Sequence, residues 1–399
     1  MKSAHSKRPV LTKSPPYLWQ QLGWPRCHYD MQVLAAPLVQ ARQQLGIVAG
    51  KVQAIGLGQA SLQQVTNDIW VEEAIATAAI EGQKLDADQV RSSVMRKLGL
   101  ADTGSSPRHI DGLIEVMFDA SHHVDIPLDA DRLCRWQSAL FPGGTSGIQR
   151  IEVGKFRRFA DPMQIVSGKI GKEVIHYRAP DSVNVAAEMA IFLEWFNAPA
   201  EQTHYVDSII RAAIAHLWFE TIHPFEDGNG RIGRAIIDLA LAQDAQLQIA
   251  GLGRLTSMSR ALQENRRAYY DALNHAQTGD LNITPWISWF LTQFTTACQK
   301  TEQHISQAIC KAQFWAAHIH NDFNPRQRKS LQKLLDAGDG GFQGGLTADK
   351  HSKINSTSKA TATRDLTELL QKGALISFGV GKATKYYVNV MGWNHIRLE

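Results

Sequence analysis

Four cysteines in 399 residues (Cys27, Cys134, Cys298 and Cys310) are too few and too scattered for a disulfide scaffold. None forms a CxxC pair of the kind that holds zinc. A reducing, cytoplasmic setting is therefore expected. Long apolar runs are missing as well. No stretch approaches the ~20 residues that a membrane span requires. No apolar segment follows Lys2, Lys7 and Arg8, so no signal peptide is expected. Charge of one sign is also scarce. The balance of 42 Lys+Arg against 38 Asp+Glu leaves +4, so any nucleic-acid contact must come from a local patch. Internal repeats and long low-complexity tracts are absent. What is present, 44 % hydrophobic and 20 % charged residues, suits a globular chain with a real core, long enough for two or three domains.

Residues 1–15 are basic and Pro-containing and read as a loose arm, followed by an aromatic-rich stretch from Tyr17 to Trp24. From Met31 to Leu57, apolar residues recur at helical spacing at Leu34, Leu38, Leu45, Val48, Val52 and Ile55. A second helix is expected over Ser61–Ile80, burying Val65, Ile69, Val71, Ile75 and Ala78. Ala101–Pro107 reads as a linker, and helical patterns then dominate to about residue 320. The exception is Met163–Tyr177, where two β-type stretches flank Ser167-Gly168-Lys169 and Gly171-Lys172, a hairpin signal inside a helical domain.

The most informative segment runs from His223 to Arg234, His-Pro-Phe-Glu-Asp-Gly-Asn-Gly-Arg-Ile-Gly-Arg. An apolar helix, Ser208–Ile222, precedes it, and Pro224 disfavours helical geometry at His223. Gly228-Asn229-Gly230 can take left-handed backbone angles, which lets successive N–H groups converge on an anion. A helix starting at Arg231 adds partial positive charge at the same spot. Arg231 and Arg234 are three residues apart, so both can face the loop, and guanidinium groups fit phosphate oxygens. Asp227 is placed to hold a magnesium ion between phosphates. A Gly-Asn-Gly turn alone would be an ordinary link between core helices. A base, a metal ligand, an anion cradle and two arginines within twelve residues point instead to phosphoryl or nucleotidyl transfer.

The string resembles the Fic signature, His-x-Phe-x-Asp/Glu-Gly-Asn-Gly-Arg-x-x-Arg, at every defined position. The resemblance extends over roughly Leu133–Phe294. It implies a mainly α fold, with a Fic-type helical core, a β-hairpin flap and a C-terminal winged-helix domain. The expected divisions are 1–100, an N-terminal helical domain with an inhibitory helix; 101–300, the core; and 301–399, the winged helix. The implied activity is transfer of AMP from ATP, with magnesium, to a Tyr, Thr or Ser hydroxyl of the protein itself or of a target. His223 would be the general base. Glu226, Asp227, Gly228, Asn229, Gly230, Arg231, Ile232, Gly233 and Arg234 would form the ATP site, with backbone and amide donors on the phosphates and Asp227 on the metal. Tyr270 and Leu273 would line the adenine pocket. In the hairpin, Ile165, Val166, Val174 and Ile175 would form a flap that docks the target by strand addition. Thr77-Ala78-Ala79-Ile80-Glu81-Gly82 fits the Ser/Thr-x-x-x-Glu-Gly/Asn pattern of the family's inhibitory helix. Thr77 and Glu81 share a helix face, and Glu81 would pair with Arg234. Removal of AMP by the same site is also compatible with the pattern.

Asp336–Gly345 is a Gly-rich break. After it come a short helix near Leu346–Lys353, a longer one over Lys359–Lys372, and a hairpin over Leu375–Val390 with Gly379-Val380-Gly381 at its tip. Lys359, Thr361 and Arg364, with Lys382 and Lys385 on the wing, are candidate contacts to duplex DNA. The competing functional reading is a DNA-binding regulator whose core senses nucleotide. A homodimer is a further partner the sequence leaves open.

Overall fold

A computed structural model describes residues 17–54, 59–100, 105–159, 162–167, 174–199, 207–244, 256–339, 342–390 and 393. The expected N-terminal arm, Ile55, and the hairpin residues 168–173 lie outside the described residues. The chain forms two compact units, one from Met1–Lys51 with Thr66–Glu302, the other from Val52–Val65 with Gln303–Glu399. The fold is mainly helical, as expected. No helix among the described residues is long and apolar enough to cross a membrane. The four cysteines are free.

The first unit is organised on two helices, α7 (Ser208–Ile222) and α8 (Asn229–Ala242), which pack extensively on one another. The α7 sequence is apolar on every side, and accordingly nearly every residue of it is buried. Asp207 caps its start, accepting from the Ile209 amide at 2.8 Å. The helices α4 (Arg108–His122), α5 (Ala130–Leu140) and α6 (Ser182–Asn197) pack around this pair. The helix α1 (Met31–Ala54) is tied to it by Arg42, which reaches Asp207 at 2.6 Å and Asp244 at 2.9 Å. Leu34, Leu45 and Val48 are buried on α1 as their spacing requires, whereas Leu38 is only half-buried.

The helix α2 (Gln59–Ile80) ends against α8. Its last turns are held from another side by Glu73, which accepts from the Ser257 hydroxyl at 2.8 Å and the Ser259 amide at 3.0 Å, where α9 (Met258–Glu264) begins. The end of α2 is fixed by Gly82 in the left-handed region, with the Gln83 amide bonded to the Ala78 carbonyl at 3.0 Å and the Gly82 amide to Ala79 at 3.0 Å. This 6→1 and 5→2 pairing stops the helix at Ile80 and leaves Glu81 as the capping residue just beyond it.

Among the described residues, two short antiparallel pairs lie in this unit. The first, β1 (Thr145–Ser146) with β2 (Gln149–Arg150), has no strong sequence signal. The second, β3 (Gln164–Ser167) with β4 (Val174–Arg178), is the expected hairpin, with Ile165 opposite Tyr177 and Val166 opposite Ile175. It is anchored by Tyr177, whose hydroxyl donates to the Thr221 carbonyl on α7 at 2.6 Å. The aromatic N-terminal stretch buttresses the same strand. Tyr17 meets the Tyr177 ring edge-on at 5.4 Å, and the Trp19 indole donates to the Arg178 carbonyl at 2.9 Å.

The helices α10 (Arg266–Gln277) and α11 (Thr284–Ala317) complete the element order of the first unit and lead out of it. The second unit has its own core of Phe314, Phe323, Leu331, Leu335, Leu366 and Leu375. It contains α12 (Pro325–Ala337), α13 (Ala348–Asn355), α14 (Lys359–Gln371) and the pair β5 (Leu375–Phe378) with β6 (Lys385–Val388). The same unit holds a polar chain that runs from buried Ser330, His351 and Asp365 to part-exposed Arg326. Ser330 meets His351 at 2.9 Å, His351 meets Asp365 at 3.2 Å, and Asp365 meets Arg326 at 2.8 Å.

Candidate active site

The residues His223–Arg234 expected to form the site lie at the junction between α7 and α8, and their backbone differs from the expectation. The left-handed residues are His223 (φ 51) and Gly228 (φ 92), whereas Asn229 and Gly230 already belong to α8. A non-glycine residue in that region is strained. At His223 it is held by Arg157, which is almost fully buried. The Arg157 guanidinium donates to the His223 carbonyl at 2.8 Å, to Ile222 at 3.2 Å and to Pro180 at 2.5 Å, while its amide donates to Pro224 at 2.8 Å. Burial pushes the Arg157 guanidinium down to about 10.

The loop is stapled from within by Asn229. Its side chain accepts from the Phe225 amide at 2.9 Å and donates to the Phe225 carbonyl at 2.8 Å. The amide expected to reach a phosphate is therefore spent on the loop, and the free donors at the start of α8 are backbone N–H groups. Glu226 faces another way and accepts from the Glu152 amide at 3.0 Å. Asp227, 40 % exposed, accepts from Ser146 and from the Gly228 amide, with Arg231 at 3.7 Å. Arg231 is buried, lies 4.8 Å over the Phe141 ring and donates to Gln83 at 3.3 Å.

Arg234 is 2 % exposed and donates to Glu81 at 2.8 Å, to the Thr77 hydroxyl at 2.7 Å and to the Thr77 carbonyl at 3.0 Å. Burial is the strongest single influence and lowers its pKa, but the charge and hydrogen bond of Glu81 together with the charges of Tyr269 and Glu220 outweigh it and raise the pKa. The Glu81 carboxylate lies directly over the first turn of α8. A Cβ on Gly230 would stand 2.2 Å from a Glu81 carboxylate oxygen. A side-chain anion thus occupies the position where a helix start binds phosphate. Nearby, Tyr270 donates to the Ile80 carbonyl at 3.3 Å and is partly exposed, and Leu273 is buried. Ile232 is buried in the core, and Gly233 lets α8 close on α7, since a Cβ there would stand 2.4 Å from a Glu220 oxygen. Ile165 is half-buried and Ile175 exposed on the hairpin; the side chains of Val166 and Val174 lie outside the described residues.

A cavity of about 600 Å³ adjoins the loop through Ser146 and Gln83, lined also by Lys84, Arg108 and His109 and by no carboxylate. No group of three or more His, Cys, Asp or Glu side chains among the described residues is set to hold a metal. Sequence reasoning missed Arg157, Glu220 and Ser146, whose parts depend on partners up to 81 residues away.

A buried helix ends on a left-handed histidine, and a second helix begins with two buried arginines, Arg231 and Arg234. Residues 127–241 match the Fic/DOC family, so the chain carries a Fic domain. Residues 17–100 match a domain of unknown function, DUF4172. The chain is 27 % identical over 231 residues to protein adenylyltransferase fic-1 of Caenorhabditis briggsae, covering 55 % of this chain and 39 % of that protein. It is 25 % identical over 253 residues to fic-1 of Caenorhabditis elegans, covering 56 % of this chain and 47 % of that protein. The chain thus spans less than half the length of these relatives. A Fic family protein from Desulfovibrio desulfuricans G20, solved by crystallography, aligns over 88 % of this chain and 95 % of its own, at 20 % identity and a TM-score of 0.49.

Proposed function

We propose that the chain is a protein adenylyltransferase restrained by Glu81, moving AMP from ATP to a Tyr, Thr or Ser hydroxyl of a polypeptide. The observation that carries this reading is the meeting of a sheltered histidine and a carboxylate-held arginine over one helix start. The relatives named protein adenylyltransferase support the same chemistry.

In this reading the acceptor oxygen forms a bond to the α-phosphorus while the bond to the bridging oxygen of pyrophosphate breaks. His223 takes the hydroxyl proton. The first N–H groups of α8 and the guanidinium groups of Arg231 and Arg234 receive the phosphates. Asp227 suits magnesium, because that ion commonly takes one or two carboxylates and fills its remaining positions from phosphates and water. When bound, the ion would neutralise charge on the leaving pyrophosphate. Tyr270 and Leu273 are assigned to the adenine side, and the β3–β4 edge to the target backbone.

Glu81 restrains the site by holding Arg234 and by covering the start of α8. A γ-phosphate and the carboxylate compete for the same guanidinium, and two anions there repel. The test compares ATP labelled at the α-phosphate with ATP labelled at the γ-phosphate, using the Glu81→Gly chain and cell lysate. Label from the α-position alone on protein supports AMP transfer. Label from the γ-position would replace it with phosphorylation. His223→Ala in the same background should abolish transfer.

A further inference from the structure

Glu220 is a charged residue in the middle of the core, on α7 and one turn before His223. Its side chain is 5 % exposed, and one carboxylate oxygen lies 3.5 Å from the His223 Nδ1, which is itself buried and has no other partner. The other oxygen has no hydrogen-bond partner at all. A buried carboxylate with an unsatisfied oxygen costs stability. An uncharged residue of the same shape would serve the core better. Space for the carboxylate is nevertheless kept, because Gly233 stands where any side chain would strike it.

We propose that Glu220 is the positioning residue of the catalytic base, accepting the Nδ1–H of His223 and leaving Nε2 to take the acceptor proton. This inference rests on the adenylyl-transfer reading of the site. A neutral imidazole has one N–H and one lone pair, and the partner of one nitrogen decides which nitrogen carries the proton. A carboxylate can only accept, so it selects the Nδ1–H form. Its negative charge also stabilises the imidazolium that forms as the proton arrives. The 3.5 Å separation is a loose contact, of the kind that tightens when the ring becomes charged.

The surrounding charges leave Glu220 as the group that acts on Nδ1. On α7, His216 is committed to Tyr269 of α10 at 2.8 Å. On α8, Arg234 is committed to Glu81 and Thr77 at the end of α2. Arg157 binds the His223 carbonyl rather than its ring. In the loop, Glu226 and Asp227 are engaged with Glu152, Ser146 and Gly228. Burial works to raise the Glu220 pKa, yet hydrogen bonding to His223 and the charges of His216, His223 and Arg234 hold it below the usual carboxylate range. The carboxylate is therefore the charged form that the role requires.

The test has an arm that does not depend on turnover. In full-length wild-type protein labelled with nitrogen-15 in histidine, the His223 ring should show Nδ1 protonated and Nε2 bare at neutral pH. An Nε2–H ring would overturn the proposal. In the Glu81→Gly chain, Glu220→Gln should cut kcat about tenfold or more while leaving the KM for ATP within twofold. Its acid limb should move to lower pH, because the imidazolium loses a stabilising charge. A merely structural role for Glu220 predicts a lower melting temperature and an unmoved acid limb, and that result also sinks the idea. If the Glu81→Gly chain transfers no AMP at all, the functional reading fails while the ring measurement still decides the tautomer.

Discussion

At the scale of single residues, the site is a set of close approaches that glycine permits and arginine secures. Gly230 and Gly233 are helical, so neither is required by backbone angles. Each is required by a carboxylate, Glu81 in one case and Glu220 in the other. Gly233→Ala should displace Glu220 and reduce transfer at least tenfold in the Glu81→Gly chain, measured as label incorporated per minute. A rate within twofold would mean that the helices can shift to absorb a methyl group. The sequence made the signature legible but not these reasons. In a linear reading, Gly-Asn-Gly is a flexible loop. In the fold only Gly228 is left-handed, and Asn229 is a staple. Glu220 sits in an apolar run and reads as an outlier, because its partners His223 and Gly233 converge only when α7 and α8 pack.

At the scale of elements, the junction depends on Arg157, which lies in an irregular segment far from the motif. Its loss leaves the His223, Ile222 and Pro180 carbonyls without their donor. Arg157→Ala should destabilise the first unit by about 2–4 kcal/mol, by the loss of several buried bonds. Denaturant unfolding followed by tryptophan fluorescence would measure it, and a change under 1 kcal/mol would show that the left-handed turn holds itself. Long periodic helices were readable. Met31 and Ile80 are element ends in both the sequence reading and the structure. The helix α12 was not anticipated, although Asn324-Pro325 and Gln327 spell a capping box that the structure forms. The hairpin β3–β4 was legible from two β-type stretches around glycine-containing turn residues. Its buttress was not, since Tyr17 and Trp19 find Tyr177 and Arg178 only through tertiary packing.

At the scale of the whole molecule, two consequences concern stability. In the second unit, the Asp365 carboxyl is held down to about 2; burial opposes this and is outweighed by hydrogen bonds from Arg326, Asn324 and His351. A carboxyl depressed in the folded state stabilises it above the unfolded pKa of ~3.9, and that contribution is lost as pH falls through about 2. The loss should be on the order of 1 kcal/mol, and Asp365→Asn should flatten the melting temperature between pH 5 and pH 2. An unchanged acid slope would remove Asp365 from the network. In the first unit, Glu81→Gly leaves buried Arg234 with only Thr77, so the variant should melt lower than wild type. ATP with magnesium should then raise its melting temperature more than that of wild type, because phosphate replaces the missing carboxylate.

The proposed restraint by Glu81 joins these scales, since one carboxylate at the end of α2 both holds Arg234 and covers the start of α8. Its most direct measurement is the rate of AMP incorporation from α-labelled ATP by wild-type and Glu81→Gly protein at equal concentration. A rise of at least tenfold in the variant, abolished by His223→Ala, is the expected result. Equal rates in the two chains would show that the Arg234–Glu81 pair is a structural contact and no brake.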